Sequence, residues 1–361
     1  PLTLAFYDII CEEGTLPTIS VNIIDGTPPF NVSGTYFMND APTVFSFQVP
    51  NESNFLINIS DAVGNVQTIE DIPYCNQNCY DDAWRIYKEN NSDFSTNGVR
   101  NFFEDSNGNI WMGSTSGGFA KFDGNSPTGW NTFNVANSDL PNNDVSCLLE
   151  NSNGEIFVGT WGGGLVKFDG ASSTDWTLFN LFSDNTISSL LESSSGEIFV
   201  GMVGSAVVKF DDSSGTSWTF FHLFNSDLPN NGIRSLLENS SGEVFVGTEG
   251  GLVQFDGTSH TDWTFFNTSN SDWKDSRIRS LLASSSGDIF IGSDWEKGLA
   301  KFDGSSNTGW TIFNTDNSDL PANGIYSLLE SSNGDIFVGT VYGGLAKFDG
   351  SSSTGWTIFN T

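Results

Sequence analysis

One short segment recurs along the chain, and its copies differ mainly in aromatic and acidic residues. The copies are Ser114-Thr-Ser116, Thr160-Trp-Gly162, Met202-Val-Gly204, Thr248-Glu-Gly250, Ser293-Asp-Trp-Glu-Lys297 and Thr340-Val-Tyr342. Six of their side chains could contact a ligand: Trp161, Glu249, Asp294, Trp295, Glu296 and Tyr342. Sugar C–H faces stack on aromatic rings, and carboxylates accept hydrogen bonds from sugar hydroxyls. The segment therefore predicts a glycan site, and the alternative is ordinary drift among surface loops that bind nothing.

A second recurring position concentrates arginine, which is scarce elsewhere in the chain. Three of the five arginines occupy it: Arg100, Arg234 and Arg279. The other copies have Ser146, Ser188 and Tyr326. Because a guanidinium binds a carboxylate through two parallel hydrogen bonds, this position, with Tyr326 included, predicts a site for an acidic sugar or a peptide carboxylate. The alternative is an ion pair between repeats, with acids such as Glu150 or Glu330.

Both positions belong to a repeat of about 45 residues. Its marker is a Trp-x-x-Phe segment that opens at Trp130, Trp176, Trp218, Trp263, Trp310 and Trp356, at spacings of 46, 42, 45, 47 and 46 residues. A divergent copy, Trp84-Arg-Ile-Tyr87, lies 46 residues before the first. A unit this small cannot bury its own apolar face, so neighbouring units must stack, as in a β-propeller or another repeat array.

Each unit contains four strand candidates, which in the last unit are residues 325–330, 335–339, 345–349 and 356–359. Four antiparallel strands make one propeller blade, and the recurring Trp, Phe and Leu residues are expected to pack blade against blade. Six complete units thus predict an all-β propeller of six four-stranded blades. The extra copy at Trp84 leaves two alternatives open, a closed ring of six blades and part of a seven-bladed ring. In either, the variable segments and the arginine position should share one face around the central channel.

Residues 1–75 lack the repeat and alternate apolar and polar side chains in short runs bounded by turn residues. This pattern predicts a small immunoglobulin-like β-sandwich. A linker is expected at residues 76–83, and the propeller at residues 84–361. Because the chain begins at Pro1 without Met, we expect a processed product or a fragment.

The chain has four cysteines, and three of them lie in or beside the N-terminal region. Cys11–Cys75 or Cys75–Cys79 could pair in an oxidising compartment. Cys147 falls within a repeat strand, where we expect a free, buried cysteine that acts as a small apolar residue.

The repeat resembles a known family in three consecutive motifs. In one unit they read Leu140-Pro-Asn-Asn-Asp-Val145, Asn153-Gly-Glu-Ile-Phe-Val-Gly-Thr160 and Gly163-Gly-Leu-Val-Lys-Phe-Asp169. These motifs are similar to the two-component regulator propeller repeat, and the similarity extends over residues 84–361. The resemblance implies a propeller like those of secreted surface proteins and of periplasmic sensor domains, which often detect oligosaccharides. This sequence differs from those sensors in two respects. It includes no transmembrane, kinase or receiver segment, and it has six full units where the sensors usually have two seven-bladed propellers.

The N-terminal region carries a second, looser resemblance over about 60 residues. Its segments Gly26-Thr-Pro-Pro-Phe30 and Asp61-Ala-Val-Gly-Asn65 resemble those of immunoglobulin-like repeats in surface adhesins of Bacteroidota. This similarity implies a bacterial protein that is secreted or held at the cell surface.

The chain has 44 acidic and 13 basic residues, a formal net charge of -31. Such a surface repels nucleic acid and anionic membranes, and no apolar run is long enough to span a bilayer. We therefore expect neither a nucleic-acid partner nor membrane insertion. No cofactor is expected either. A calcium ion could bind at the Asn-Ser-Asp-Leu-Pro segments, residues 137–141, 225–229 and 317–321. Such segments more often form turns.

These features favour a non-catalytic binding or adhesion protein that recognises an extracellular glycan or a surface protein. His222 and His260 have no nucleophile motif nearby, which argues against a catalytic triad or a His-rich metal site. One alternative is a structural subunit that self-assembles, because an unmatched strand edge invites pairing between chains. Another is a glycan-active enzyme that uses a pair of carboxylates, or a sensor domain.

Overall fold

The structure is a computed structural model that describes two parts of the chain. The first part consists of a turn at residues 62–63 and seven strands: β1 (Thr3–Ile10), β2 (Thr18–Asp25), β3 (Asn31–Ser33), β4 (Asn39–Ala41), β5 (Val44–Gln48), β6 (Ile57–Ser60) and β7 (Val66–Ile69). They pair antiparallel in two sheets, with the orders β1-β2-β5-β4 and β3-β6-β7. The immunoglobulin-like sandwich stays a prediction.

The second part contains the repeats. It covers residues 98–122, 130–168, 170, 174, 176–179, 186–211, 218–230, 232–273, 277–295, 297–304, 308–350 and 354–359. The predicted linker at 76–83, the repeat copy at Trp84 and the cysteines Cys11, Cys75 and Cys79 lie outside the described residues.

Six four-stranded sheets make up the second part. The first three are β8 (Val99–Glu104), β9 (Ile110–Ser114), β10 (Phe119–Phe122) and β11 (Trp130–Phe133); β12 (Val145–Glu150), β13 (Ile156–Thr160), β14 (Gly164–Phe168) and β15 (Thr177–Phe179); β16 (Ile187–Glu192), β17 (Glu197–Met202), β18 (Val207–Asp211) and β19 (Trp218–Phe221). The others are β20 (Ile233–Glu238), β21 (Val244–Thr248), β22 (Leu252–Phe255) and β23 (Thr264–Phe266); β24 (Ile278–Ala283), β25 (Ile289–Ser293), β26 (Leu299–Phe302) and β27 (Trp310–Phe313); β28 (Ile325–Glu330), β29 (Ile336–Thr340), β30 (Gly344–Phe348) and β31 (Trp356–Phe359).

Within each sheet the strands are hydrogen-bonded in chain order, as in a propeller blade. The predicted all-β propeller of six four-stranded blades is therefore confirmed, and the strand limits predicted for the last unit agree within one residue. The chain divides into two compact units, residues 1–99 with 106–112 and 119–133, and residues 100–105 with 113–118 and 134–361. Blades two to six lie wholly within the second unit.

Each blade has two apolar faces, because alternate residues of a strand point to opposite sides of the sheet. We call the face toward the following blade the leading face, and the face toward the preceding blade the trailing face. On the leading face of blade two, Phe157 and Leu165 pack against Ile198, Val208 and Phe210 on the trailing face of blade three. Equivalent clusters join blades three and four, four and five, and five and six.

The marker tryptophan of each blade stacks on a phenylalanine of the neighbouring third strand. The ring centroids lie 4.1–4.6 Å apart in the six pairs Phe122–Trp130, Phe168–Trp176, Phe210–Trp218, Phe255–Trp263, Phe302–Trp310 and Phe348–Trp356. Four of these tryptophans, Trp218, Trp263, Trp310 and Trp356, also pack in the apolar cluster shared with the preceding blade. The repeated aromatic residues thus serve packing within and between blades, as predicted.

Cys147 is a free cysteine in β12 that packs against the cluster between blades two and three. Its side chain is half-buried, not fully buried as predicted. Burial nevertheless raises the pKa of the Cys147 thiol to about 12, so the thiol is protonated and weakly nucleophilic at neutral pH.

A glycine near the end of each second strand lets the next blade approach closely. A methyl group at Gly247 or Gly292 would lie 2.7–2.8 Å from an isoleucine of the following blade, Ile278 or Ile325. At Gly339, in blade six, the three nearest atoms all belong to Ser327 of the same blade. The glycine is therefore required sterically where another blade follows.

We expect Gly292→Ala to destabilise the protein by about 1–3 kcal/mol, because the added methyl overpacks the interface between blades five and six. Gly339→Ala is the matched control and should cost less, because only the Ser327 side chain must move. Denaturant unfolding monitored by tryptophan fluorescence measures both. Equal losses for the two variants would contradict this account of the glycine.

Candidate ligand-binding rim

The variable segments are anchored beside the start of the first strand of their own blade. Five backbone hydrogen bonds of 2.8–3.2 Å make this connection: Trp161 N–H to Asp144 O, Val203 to Thr186, Glu249 to Gly232, Asp294 to Arg277 and Val341 to Gly324. The arginine position is the second residue of that first strand. Both positions therefore lie at the same end of blades two to six, and their arrangement around a central channel stays a prediction. We call the residues at this end the rim.

In blades two, four and six, a threonine hydroxyl group holds the variable segment in shape from inside the blade. Thr160 Oγ1 donates to the carbonyl of Gly164, Thr248 Oγ1 to that of Gly251, and Thr340 Oγ1 to that of Gly344. Because the hydroxyl satisfies the backbone of the turn, the residue that follows it is free of a structural role. That residue is the one that varies between repeats.

Arg100 connects blade one to the rim of blade two. Its Nη1 lies 3.2 Å from Asp144 Oδ1, and its guanidinium lies 5.7 Å from the ring centroid of Trp161. Asn142 Nδ2 also donates to the carbonyl oxygen of Trp161, at 2.8 Å. Arg100 thus contacts the Trp161 ring and Asn142 fixes its backbone, while 44% of the residue stays exposed.

The other two rim arginines are engaged differently. Arg234 forms an ion pair with Glu249 of its own blade, and both side chains are partly exposed. Arg279 lies over the ring of Tyr326 in the following blade, with its guanidinium carbon 4.7 Å from the ring centroid. The position therefore takes part in ion pairing, as the alternative proposed, but the acids are Asp144 and Glu249, not Glu150 or Glu330.

Serine at the same position ties neighbouring blades together. Ser146 Oγ donates to the carbonyl of Ile187, and Ser188 Oγ donates to that of Ile233, each in the first strand of the next blade. The sequence suggested an arginine cluster. The structure shows a position at which five of the six side chains reach the next blade or their own loop, and the sixth, Tyr326, receives Arg279 of the preceding blade.

Aromatic residues on the rim are exposed. Trp161 is 44%, Tyr326 46%, Trp295 50% and Tyr342 99% exposed. Asp294, beside Trp295, is half-buried, and Glu296 lies outside the described residues. The structure thus brings Arg100 to Trp161, Arg234 to Glu249 and Arg279 to Tyr326. Among the described residues, no contact joins one of these three pairs to another.

Tyr342 has an unusual backbone conformation. Its φ is +60°, whereas glycine occupies the equivalent position in blades two and three, at Gly162 and Gly204, with φ of +84° and +78°. A bulky residue at positive φ costs about 1–3 kcal/mol. A strained and almost fully exposed tyrosine contributes nothing to packing, so its ring is a candidate for contact with a ligand.

One exposed aromatic residue at the same end was missed by the sequence reasoning. Phe224 is 93% exposed in the connection between blades three and four, with its ring 5.9 Å from that of His222. The equivalent residues of two other connections are Ala136 and Asp316. The comparison of repeats that identified the variable segments would have identified Phe224 as well.

The histidines and the Asn-Ser-Asp segments have structural roles. His222 Nδ1 accepts from the backbone N–H of Phe224, and the His260 ring packs 4.8 Å from that of Phe221. In the first Asn-Ser-Asp segment, Asn137 Oδ1 and Ser138 Oγ are bonded to the backbone of Asn134. Among the described residues, no three His, Cys, Asp or Glu side chains are grouped so that they could hold a metal ion. Calcium at these segments stays a prediction.

The fold and the rim define a β-propeller with one variable end. Three stretches, residues 93–116, 139–162 and 319–342, match the family described as two component regulator propeller. The chain therefore carries two-component regulator propeller repeats, as its motifs predict. No curated protein sequence matches the chain.

Solved structures with the same fold come from several proteins. One is described as the extracellular domain of a hybrid two component system from B. thetaiotaomicron; it has 18% identity and a TM-score of 0.56 over 95% of this chain and 45% of that one. Virginiamycin B lyase from Staphylococcus aureus has 12% identity and a TM-score of 0.58, over 73% and 84% of the two chains.

The third is PorZ, a surface component of the type-IX secretion system of Porphyromonas gingivalis, with 14% identity, a TM-score of 0.57 and coverage of 98% and 52%. The chain spans less than half of the B. thetaiotaomicron structure and about half of PorZ. At these identities the similarity shows the fold. No helix in the described part of the chain has the length and apolar character needed to cross a membrane.

We expect Tyr342→Gly to stabilise the protein by about 1 kcal/mol, because it removes the strain of a side chain at positive φ. Tyr342→Ala is the control, since alanine keeps a Cβ in the same conformation and should give no such gain. Denaturant unfolding of the three proteins measures the difference. A Tyr342→Gly variant no more stable than Tyr342→Ala would show that the backbone there is unstrained.

Proposed function

We propose that the chain is a non-catalytic, extracellular or cell-surface binding protein whose rim binds a neutral glycan. The observation that carries this proposal is Tyr342, whose ring is exposed and whose backbone is strained. Trp161 and Trp295 present further exposed rings at the same end of their blades. Among the similar folds, the extracellular domain of a hybrid two component system and a surface component of a secretion system support the location.

A glycan suits the chemistry of the rim. Aromatic rings bind the C–H faces of sugars, and carboxylates and amides accept or donate hydrogen bonds to hydroxyl groups. The Trp161 ring already packs against the Arg100 guanidinium, and Asn142 holds the Trp161 backbone. A ring that is fixed before binding loses little conformational entropy when the ligand arrives.

A neutral glycan is favoured over an acidic one. Arg100 and Arg234 already neutralise Asp144 and Glu249, so neither guanidinium is available to an acidic sugar without the loss of an ion pair. The net charge of -31 also repels anionic ligands.

Binding without turnover is favoured by the state of the carboxylates. Glycoside hydrolysis requires a protonated acid and a second carboxylate at a defined separation. Glu249 is paired with Arg234, so this carboxylate would have to leave the ion pair before it could act on a glycosidic bond. One of the similar folds, virginiamycin B lyase, is an enzyme, so turnover is assayed alongside binding.

A glycan array probed with the native protein and with Trp161→Ala, Trp295→Ala and Tyr342→Ala tests this proposal. We expect binding to neutral glycans, weakened roughly 3- to 10-fold by the loss of each ring that contacts the sugar. Leu178→Ala is the control, because Leu178 is 44% exposed on the outermost strand β15, away from the rim. It should leave binding unchanged.

An Arg234→Ala, Arg279→Ala double variant separates the two ligand classes. Binding to acidic sugars that this variant abolishes would overturn the neutral-glycan proposal in favour of the arginine site. No glycan binding by any of the proteins would overturn a glycan ligand altogether, and turnover of a bound glycan would overturn the non-catalytic role.

A further inference from the structure

An arginine and a carboxylate occupy equivalent rim positions in blades four and five. Arg234 and Arg279 are the second residues of the first strands β20 and β24, each at a bulge in the pairing with the second strand. Glu249 and Asp294 directly follow the second strands β21 and β25. The backbone N–H of each carboxylate residue donates to the residue just before the first strand of its own blade. The two blades therefore offer the same opportunity for an ion pair.

The ion pair forms in blade four and not in blade five. Arg234 pairs with Glu249. Arg279 instead lies over the ring of Tyr326 in blade six, with its guanidinium carbon 4.7 Å from the ring centroid. Among the residues that the structure describes, neither Arg279 nor Asp294 takes part in an ion pair. Both side chains are half-buried, so blade five keeps a guanidinium and a carboxylate that no internal partner neutralises.

The neighbour in the next blade explains this difference. At the position of Arg234, the next blade has Arg279, and two guanidinium groups repel each other. At the position of Arg279, the next blade has Tyr326, whose ring face attracts a cation. The side chain of Asp294 is also one methylene shorter than that of Glu249, so its carboxylate reaches less far toward its arginine. Arg279 is thus held by an aromatic ring, which leaves its N–H donors without a carboxylate.

The variable segment of blade five lies against the start of blade six. A Cβ atom added at Gly324, just before the first strand of blade six, would lie 3.1 Å from the carbonyl oxygen of Asp294. Tyr326 lies two residues after Gly324 and carries the guanidinium of Arg279 on its ring. Trp295, next to Asp294, is 50% exposed. We call this place, defined by Arg279, Asp294, Trp295 and Tyr326, the five–six junction.

The groups at the five–six junction match the surface of an uncharged sugar. A sugar hydroxyl both donates and accepts hydrogen bonds, whereas a guanidinium only donates and a carboxylate only accepts. Arg279 and Asp294 can therefore bind two adjacent hydroxyls through charge-assisted hydrogen bonds. Trp295 offers an exposed ring to the C–H face of the same sugar. Because the arginine and the aspartate carry opposite charges, the site has no net charge and favours a neutral ligand.

We propose that the glycan site on the rim is centred on the five–six junction. Arg279 donates to one hydroxyl of a neutral sugar, Asp294 accepts from the adjacent hydroxyl, and Trp295 stacks on the sugar ring. Tyr326 is a positioning residue that holds the guanidinium of Arg279. This inference rests on the proposed function, since it assigns residues to the same ligand. Blade four contributes little, because its arginine and carboxylate bind each other.

Titration calorimetry with neutral oligosaccharides of glucose, galactose, mannose and xylose tests this assignment. We expect Arg279→Lys and Asp294→Asn each to raise the Kd by roughly tenfold or more, because lysine lacks the guanidinium fork and asparagine lacks the charge. Arg234→Lys and Glu249→Gln are the matched controls in blade four. They should change the Kd by less than about twofold, since they alter only a partly exposed ion pair.

Monodeoxy analogues of the bound sugar distinguish direct contact from an altered loop. For one analogue, Asp294→Asn should cause no further loss of affinity, because both changes remove the same hydrogen bond. Losses that simply add for every analogue would overturn the proposed contact. The role of Tyr326 is tested in the same way. Tyr326→Phe keeps the ring beneath Arg279 and should retain binding, whereas Tyr326→Leu should weaken it.

The outcomes separate this inference from the proposed function. An unchanged Kd in Arg279→Lys and Asp294→Asn, with binding lost in Trp161→Ala, would overturn the five–six junction as the site and leave a glycan-binding rim intact. Equal losses in the variants of blades four and five would also overturn it. Failure of the native chain to bind any neutral oligosaccharide would overturn both proposals.

Discussion

The packing of one blade face on the next is the interaction on which the rest of the structure depends. A four-stranded blade of about 45 residues cannot bury its own apolar side chains, so Phe157 and its counterparts are buried only by the neighbouring blade. Each fully buried phenylalanine or leucine contributes about 1.5–3 kcal/mol. The glycines that end the second strands follow from the same constraint, because any side chain there would hold the blades apart.

This constraint also explains where variation is tolerated. Strand residues face another blade and a neighbouring strand, whereas the segments after the second strands of blades two, four and six are held by one hydroxyl and one backbone hydrogen bond. The middle residue of such a segment can therefore change without loss of packing. Trp161, Glu249 and Tyr342 occupy this position or the one after it.

The amino-acid sequence by itself determined the repeat, the four strands of each blade and the number of complete blades. These depend on local periodicity and on turn residues, which are written in every copy. It also indicated the rim, because the repeats serve as internal controls for one another, although Phe224 was overlooked. Only the tertiary structure decided which acids the arginines pair with and that Tyr342 has positive φ. The partners come from another blade or from a different loop of the same blade, and a backbone angle depends on the turn around it, so neither can be deduced from spacing along the chain.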